Sequence, residues 1–254
     1  MYIHGHHPEN TLLATIISIP KNYRQSLYDD SNYRGIALSS AIAKLFDIIF
    51  LQRNSGKLKT SDAQFAFKKG SGTTMCTLLL KETIKYYMDR GSVVFSAFLD
   101  ASKAFDKVKH DELFLTLKDR NIHPVEIRMI MDQYMRQKVR TSWVSAQSDY
   151  FMTMNGIRQG SIASPVLFCI YIDDLLHQLK SKGVGCWIGP HYFGVLTYAD
   201  DITLLCPSLD GLQSMVKTCI TFGKKLAMSF SAKKSVCIVF SRGRTVNYPN
   251  LWID

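Results

Sequence analysis

Apolar and polar positions fall into blocks along the chain, and each block carries its own period. Residues 11–19 (Thr-Leu-Leu-Ala-Thr-Ile-Ile-Ser-Ile) are continuous and β-branched, which predicts a buried strand ended by Pro20, with Lys21 and Arg24 beyond it. Residues 22–35 are polar and turn-rich. Residues 36–50 are apolar at helical spacing, with Ser39 or Ser40 as the N-cap. A basic connection over 52–72 leads to a second predicted helix over 73–88. Residues 93–99 form a strong strand running straight into Asp100. Helices are predicted over 102–121 and 124–137, and a hairpin over 139–145 and 149–154.

The loop Gly156-Ile157-Arg158-Gln159-Gly160-Ser161 precedes Ser164-Pro165, an N-cap and N1 pair that opens a helix reaching about residue 182. Segments 186–188 and 192–198 form one arm of a turn, and 202–205 the other. A helix over 209–228, a last strand over 235–241 and an irregular stretch over 242–254 complete the chain. From residue 93 onward, the order predicts an α+β fold: an antiparallel sheet with helices on one face, related to the split βαβ arrangement. In such a sheet the strand end at Asp100 can lie beside the turn at Asp200.

Composition narrows the class. The 254 residues suffice for one large domain or two small ones. The net charge of +10 favours a polyanionic partner, nucleic acid above all. With 46% hydrophobic and 20% charged residues, a folded chain is expected. Its cysteines form no Cys-x-x-Cys pair, which argues against a zinc ribbon. No secretory leader pattern and no bilayer-length apolar run are present, so an intracellular chain with reduced thiols and no membrane partner is expected. His4, His6 and His7 read as a solvated terminus.

The chemistry concentrates in Tyr198-Ala199-Asp200-Asp201. Adjacent carboxylates between two apolar strands repel each other and call for a positive partner, a hard divalent cation being the economical one. Alone, they read equally well as a charged surface turn. The second cluster, Phe98-Leu99-Asp100-Ala101-Ser102-Lys103-Ala104-Phe105-Asp106, changes this. If its strand lies beside the turn, then Asp100, Asp200 and Asp201 converge, and three carboxylates can hold two ions. Lys21, Arg34, Lys233 and Lys234 supply cations of the kind a triphosphate needs. Tyr171-Ile172-Asp173-Asp174 repeats the Tyr-x-Asp-Asp pattern inside a predicted helix. There adjacent carboxylates diverge by about 100°, so it is assigned to a solvated helix face.

Taken together and in order, these pieces resemble the reverse transcriptases of non-LTR, LINE-type retrotransposons. The resemblance is carried by Ile19-Pro20-Lys21, by Asn32-Tyr33-Arg34-Gly35-Ile36-Ala37-Leu38-Ser39 and by Gln64-Phe65-Ala66-Phe67. It continues through the Asp100 segment, the Gly156–Ser161 loop with Ser164-Pro165, Tyr198-Ala199-Asp200-Asp201 and Lys233-Lys234-Ser235. It implies a right-hand polymerase fold, with fingers over 1–92, palm over 93–241 and the start of a connection toward a largely missing thumb over 242–254. It implies two magnesium ions, with manganese as an alternative, held by Asp100, Asp200, Asp201 and the Ala101 carbonyl.

By the same resemblance, Lys21 and Arg34 hold the incoming deoxynucleoside triphosphate. Phe105 excludes a 2′-OH, Gln159 and Gly160 lie near nucleotide and template, Tyr198 lies near the primer end, and Lys234 protonates pyrophosphate, with Lys233 as the alternative. An RNA template and a DNA primer are the implied partners. Ala66, Ala163 and Ser231 stand where many relatives carry Gly, Leu and Asn. A fragment of a retrotransposon polyprotein is expected. The rivals are a group II intron enzyme with maturase activity and a non-catalytic nucleic-acid-binding relic.

Overall fold

The computed structural model describes residues 5–242; His4 and the thumb connection expected after residue 242 lie outside the described residues. In chain order the structure forms β1 (Leu13–Pro20), β2 (Tyr33–Ser39), α1 (Ala41–Arg53), α2 (Thr73–Asp89) and β3 (Val94–Asp100). Then follow α3 (His110–Asp119), α4 (Pro124–Met135), β4 (Lys138–Trp143), β5 (Ala146–Gln147), β6 (Phe151–Met152), α5 (Ser164–Tyr171) and α6 (Asp173–Ser181). The last elements are β7 (Trp187–Ile188), β8 (His191–Tyr192), β9 (Val195–Tyr198), β10 (Asp201–Cys206), α7 (Leu209–Lys225) and β11 (Val236–Phe240). Two compact units result, Met1–Lys59 with Phe105–Phe168 and Thr60–Ala104 with Cys169–Asp254. Each draws on both the 1–92 and the 93–241 range.

The first unit is built on a sheet of order β2-β1-β4-β5, with β6 also on β4. The strand expected at 11–19 is β1. Its antiparallel partner is β2, in register Ile17↔Ile36 and Ile19↔Arg34. Residues 36–39 therefore belong to a strand and not to the helix expected over 36–50. The helix starts only after Ser40, whose Oγ accepts from the Ala43 N–H at 3.2 Å. The predicted hairpin forms as β4 with β5 and β6, but it joins this sheet, because β4 finds β1 as a parallel partner. His7 is not solvated. It is buried with its ring edge-on to Phe46, and its backbone N–H donates to Asp132 Oδ2 at 2.7 Å. Burial holds the His7 imidazole pKa below its usual value.

The second unit carries an antiparallel sheet of order β11-β3-β10-β9. Helices cover both faces, not one. Val94, Leu196 and Leu205 form a cluster with Phe65 and Cys186, against which Cys76, Leu79, Leu80 and Ile84 of α2 pack. On the opposite face, Gly211 of α7 lies so close to Cys206 Sγ that no Cβ would fit. The reason is the strand pattern: Ala97, Leu99, Ile202 and Leu204 are buried beside the first set, so both faces are apolar and both need cover. Toward its Asp100 end the α2-side face opens, with Asp100 half-buried and Asp201 exposed.

Two predicted helices are shorter than expected. Over 102–121, Ser102 N–H donates to the Ser229 carbonyl and Lys103 takes φ +51°, so the chain turns. Only a short 3₁₀ turn at Phe105–Lys107 and then α3 follow. The helix expected to reach residue 182 breaks at Ile172 between α5 and α6. Of the second Tyr-x-Asp-Asp, Asp174 is solvated as expected and Asp173 is not. Asp173 is buried and accepts from the Ser61 N–H at 2.7 Å, with His177 Nε2 3.4 Å away. All six cysteines are free, and among the described residues no helix is long and apolar enough to cross a membrane.

Candidate active site

The pair Tyr198↔Asp201 closes a two-residue turn, Ala199-Asp200, between β9 and β10. Ala199 has φ +57°, whereas Asp200 is not in the left-handed region. A positive φ at the first central position alone is the type II′ pattern, which normally takes glycine there. The adjoining ladder sets Asp201 directly opposite Asp100. Cβ atoms so placed are about 5 Å apart. Burial, and then the charge of Asp100, push the Asp201 carboxyl above its ordinary range.

Asp100 is itself fixed from both sides of its peptide. Its N–H donates to Ser235 Oγ at 3.2 Å, and its carbonyl accepts from the Ser231 N–H at 2.9 Å. Ala101 bridges to Phe230. These bonds bring the turn before β11 alongside, and Lys234 Nζ stands 3.9 Å from Asp100 Oδ2. The lysine side chain is 73% exposed, so the pair adds little stability and leaves Lys234 able to meet a ligand.

Among the described residues no three His, Cys, Asp or Glu side chains are gathered closely enough to hold a metal ion as they stand. The structure brings Asp100 and Asp201 together and leaves Asp200 one residue away on the turn. The donor chemistry nonetheless fits a hard divalent cation: two opposed oxygen donors repel each other, and a cation relieves that repulsion. The repulsion has a stability consequence. A carboxyl with a raised folded pKa binds its proton more tightly when folded, so its ionisation lowers stability as pH rises through and above the ordinary carboxylate range. Asp201→Asn is expected to raise the melting temperature of the metal-free chain at pH 7 and to give no gain near pH 3. Thermal unfolding at the two pH values checks this.

Apart from Lys233, exposed beside Lys234 in the second unit, the remaining predicted residues lie in the first unit. Lys21 continues the β1–β2 ladder through its N–H to the Asn32 carbonyl, and Arg34 opposes Ile19. The alternation of strands puts Arg34, Ile19 and Lys21 on one exposed face. The half-buried Phe105 ring stacks on Phe168, centroids 4.4 Å apart and planes at 15°. Loop 156–161 is bound to the same segment. Gly156 N–H donates to the Val108 carbonyl and Ile157 N–H to the Phe105 carbonyl, each at 2.8 Å, and Gln159 Nε2 donates to Asp106 Oδ1 at 3.2 Å. Gly156 has φ +87°, and a Cβ there would strike the Asp106 carbonyl at 2.8 Å. At Gly160, φ +111°, it would strike the Ala37 carbonyl at 2.7 Å. Both positions admit only glycine.

Sequence reasoning passed over two residues of this loop's support. Asp47 of α1, 2% exposed, accepts from Ser161 Oγ at 2.6 Å and from the Ile162 and Ala163 N–H groups. Arg158 is buried and donates to Ser39 Oγ at 3.0 Å. A lone acid among the apolar positions of a helix, as Asp47 is within Leu-Phe-Asp-Ile-Ile, was the signal for the first.

Residues 19–249 match the family model described as reverse transcriptase (RNA-dependent DNA polymerase). The chain is 30% identical over 212 residues to a retrovirus-related Pol polyprotein from type-1 retrotransposable element R2 of Nasonia vitripennis, covering 83% of this chain and 20% of that protein. It is 26% identical over 247 residues to the RNA-directed DNA polymerase from mobile element jockey of Drosophila funebris, covering 93% and 26%. Among solved structures, telomerase from Candida tropicalis in complex with a fragment of telomeric RNA superposes with a TM-score of 0.66 at 12% identity, covering 98% of this chain and 45% of that one. The fold is therefore shared. The chain spans a fifth to about a quarter of the length of these two curated relatives.

Proposed function

The chain belongs to the reverse transcriptase family, in its non-LTR retrotransposon branch, and from this premise we propose that it is the fingers-and-palm portion of an RNA-directed DNA polymerase. Fingers are assigned to 1–92 and palm to 93–241. The primer 3′-OH attacks the α-phosphate of a deoxynucleoside triphosphate, and pyrophosphate leaves. Asp100, Asp200 and Asp201, with the Ala101 carbonyl, are the groups that would hold two magnesium or manganese ions. When bound, such ions acidify the 3′-OH and neutralise charge on the triphosphate.

The chain's own residues do the rest. Lys21 and Arg34, on one face of the β1–β2 ladder, bind phosphate oxygens. Phe105, backed by Phe168, excludes a 2′-OH. Gln159 and Gly160 contact nucleotide and template, and Tyr198 supports the primer end. Lys234 gives a proton to leaving pyrophosphate; its place 3.9 Å from Asp100 Oδ2 favours it over Lys233. The net charge of +10 suits an RNA template and DNA primer held through their backbones. An intracellular setting follows from that partner.

The observation that carries the reading is the register Asp100↔Asp201 at the open end of an antiparallel sheet, within a chain matched over residues 19–249 by the family model. Incorporation of dTTP on an oligo(dT)–poly(rA) primer–template, with magnesium or manganese, is the test. RNA-templated incorporation is expected. No incorporation, either by this chain or by one extended through a downstream thumb, would overturn the reading and leave a nucleic-acid-binding relic.

A further inference from the structure

We infer that Gln64 is a positioning residue for the carboxylate-bearing turn: its side-chain amide clamps both the backbone N–H and the backbone carbonyl of Ala199 and sets where Asp200 and Asp201 stand. In the resemblance Gln64 was only a motif letter, yet the structure puts its amide, 1% exposed, against the turn. Gln64 Oε1 accepts from the Ala199 N–H at 3.1 Å, and Gln64 Nε2 donates to the Ala199 carbonyl at 3.4 Å. The same Oε1 accepts from the Ala66 N–H at 3.0 Å, which fixes the side chain to its own backbone.

Three observations make this more than a satisfied core amide. First, Ala199 is buried and left-handed, with φ +57°. A non-glycine residue there costs about 1–2 kcal/mol and persists only where its surroundings over-determine it. Second, in a two-residue hairpin the central N–H and carbonyl have no ladder partner. Buried, they must find one elsewhere, and Gln64 supplies both. Third, the segment that carries Gln64 is itself anchored. Residues 63–65 run parallel along the free edge of β9, with Thr197 N–H donating to the Ala63 carbonyl at 2.8 Å and Phe65 N–H to the Thr197 carbonyl at 2.9 Å. Upstream, the buried Asp173 holds the Ser61 N–H, and Lys68 Nζ donates to the Ser61 carbonyl at 2.6 Å. The second Tyr-x-Asp-Asp thus serves the first: its buried aspartate secures the segment that holds the turn.

A turn so held keeps Asp201 in phase with Asp100 across the ladder. Without the clamp, the Ala199 peptide can rotate toward an ordinary conformation, and the carboxylates shift with it. Displacements of about 1 Å at reacting groups cost on the order of a hundredfold in rate.

The effect on turnover rests on the polymerase reading; the effect on the turn does not. Residue-resolved hydrogen exchange of the wild-type chain is the first measurement. The Ala199 amide is expected to exchange at least about a hundredfold more slowly than an open hairpin amide. Exchange at the open rate would overturn the inference without any variant. In Gln64→Met, which keeps length and volume, that protection is expected to vanish while α7 amides keep theirs. kcat is expected to fall between about tenfold and a hundredfold, with the KM for dTTP and the primer–template Kd unchanged. Ala199→Gly in the Gln64→Met background restores most of the lost kcat, because glycine takes a positive φ without strain. A Gln64→Met chain with wild-type exchange at Ala199, or one whose loss falls on primer–template binding alone, would sink the assignment. Were neither the wild type nor the thumb-extended chain to incorporate dTTP, the polymerase reading would fail, and the exchange data would still decide the clamp.

Discussion

Asp200→Asn is expected to reduce dTTP incorporation at least about a thousandfold, equivalent to roughly 4 kcal/mol in the activation barrier. The side chain keeps its shape and loses its charge. Asp200 occupies the second central position of the Ala199-Asp200 turn, next to the Asp201–Asp100 pair. An amide there removes one anionic oxygen donor from a set that would hold two divalent ions, and hard cations bind neutral amides far less well than carboxylates. The turn itself should survive, because its φ signature falls on Ala199 and not on Asp200. Melting temperature and primer–template affinity are therefore expected to match the wild type. Full activity in the variant would remove Asp200 from the chemistry, and a collapse of the melting temperature would make it a structural residue instead.

The second large effect is on sugar choice. Phe105→Ala is expected to lower discrimination against ribonucleotides on the order of a hundredfold, read as the ratio of kcat/KM for dTTP and UTP. The ring is held in place by its stack on Phe168, which is fully buried and cannot yield. A wall supported in this way can reject a hydroxyl that a mobile side chain would accommodate. Truncation also removes the stack, worth about 1 kcal/mol beyond the area lost, so a modest fall in stability accompanies the change. Phe105→Tyr keeps the ring and is expected to keep the discrimination. Unchanged sugar preference in Phe105→Ala would remove Phe105 from the gate and leave it a packing residue.

The strands around the acids were legible because their signal is local. Residues 93–99 and 202–205 are continuous apolar runs, and a strand needs little more than that to be recognised. Asp100 and Asp201 follow as strand-end carboxylates, and the register of β3 and β10 pairs these two across the ladder, while Asp200 stays on the turn. The basic balance and the ordered motifs were likewise readable without coordinates.

What the sequence left open depended on partners distant along the chain. Residues 36–39 have helical spacing, yet they form a strand because β1 offers them a ladder. Residues 102–109 look helical, yet bonds to Ser229 and the left-handed Lys103 turn them aside. Asp173 looks like a solvated acid until Ser61, 112 residues away, is seen to donate to it. Asp47 and Gln64 carried at most a faint mark, since a buried acid or amide is defined by what it bonds to. Periodicity and composition act over a few residues and therefore determined most of the elements, the charge and the acids that stand at strand ends. The pairing of strands, the break at Ile172 and the clamp on Ala199 were decided by tertiary structure, because each satisfies a buried backbone group whose partner only the folded chain can bring within reach.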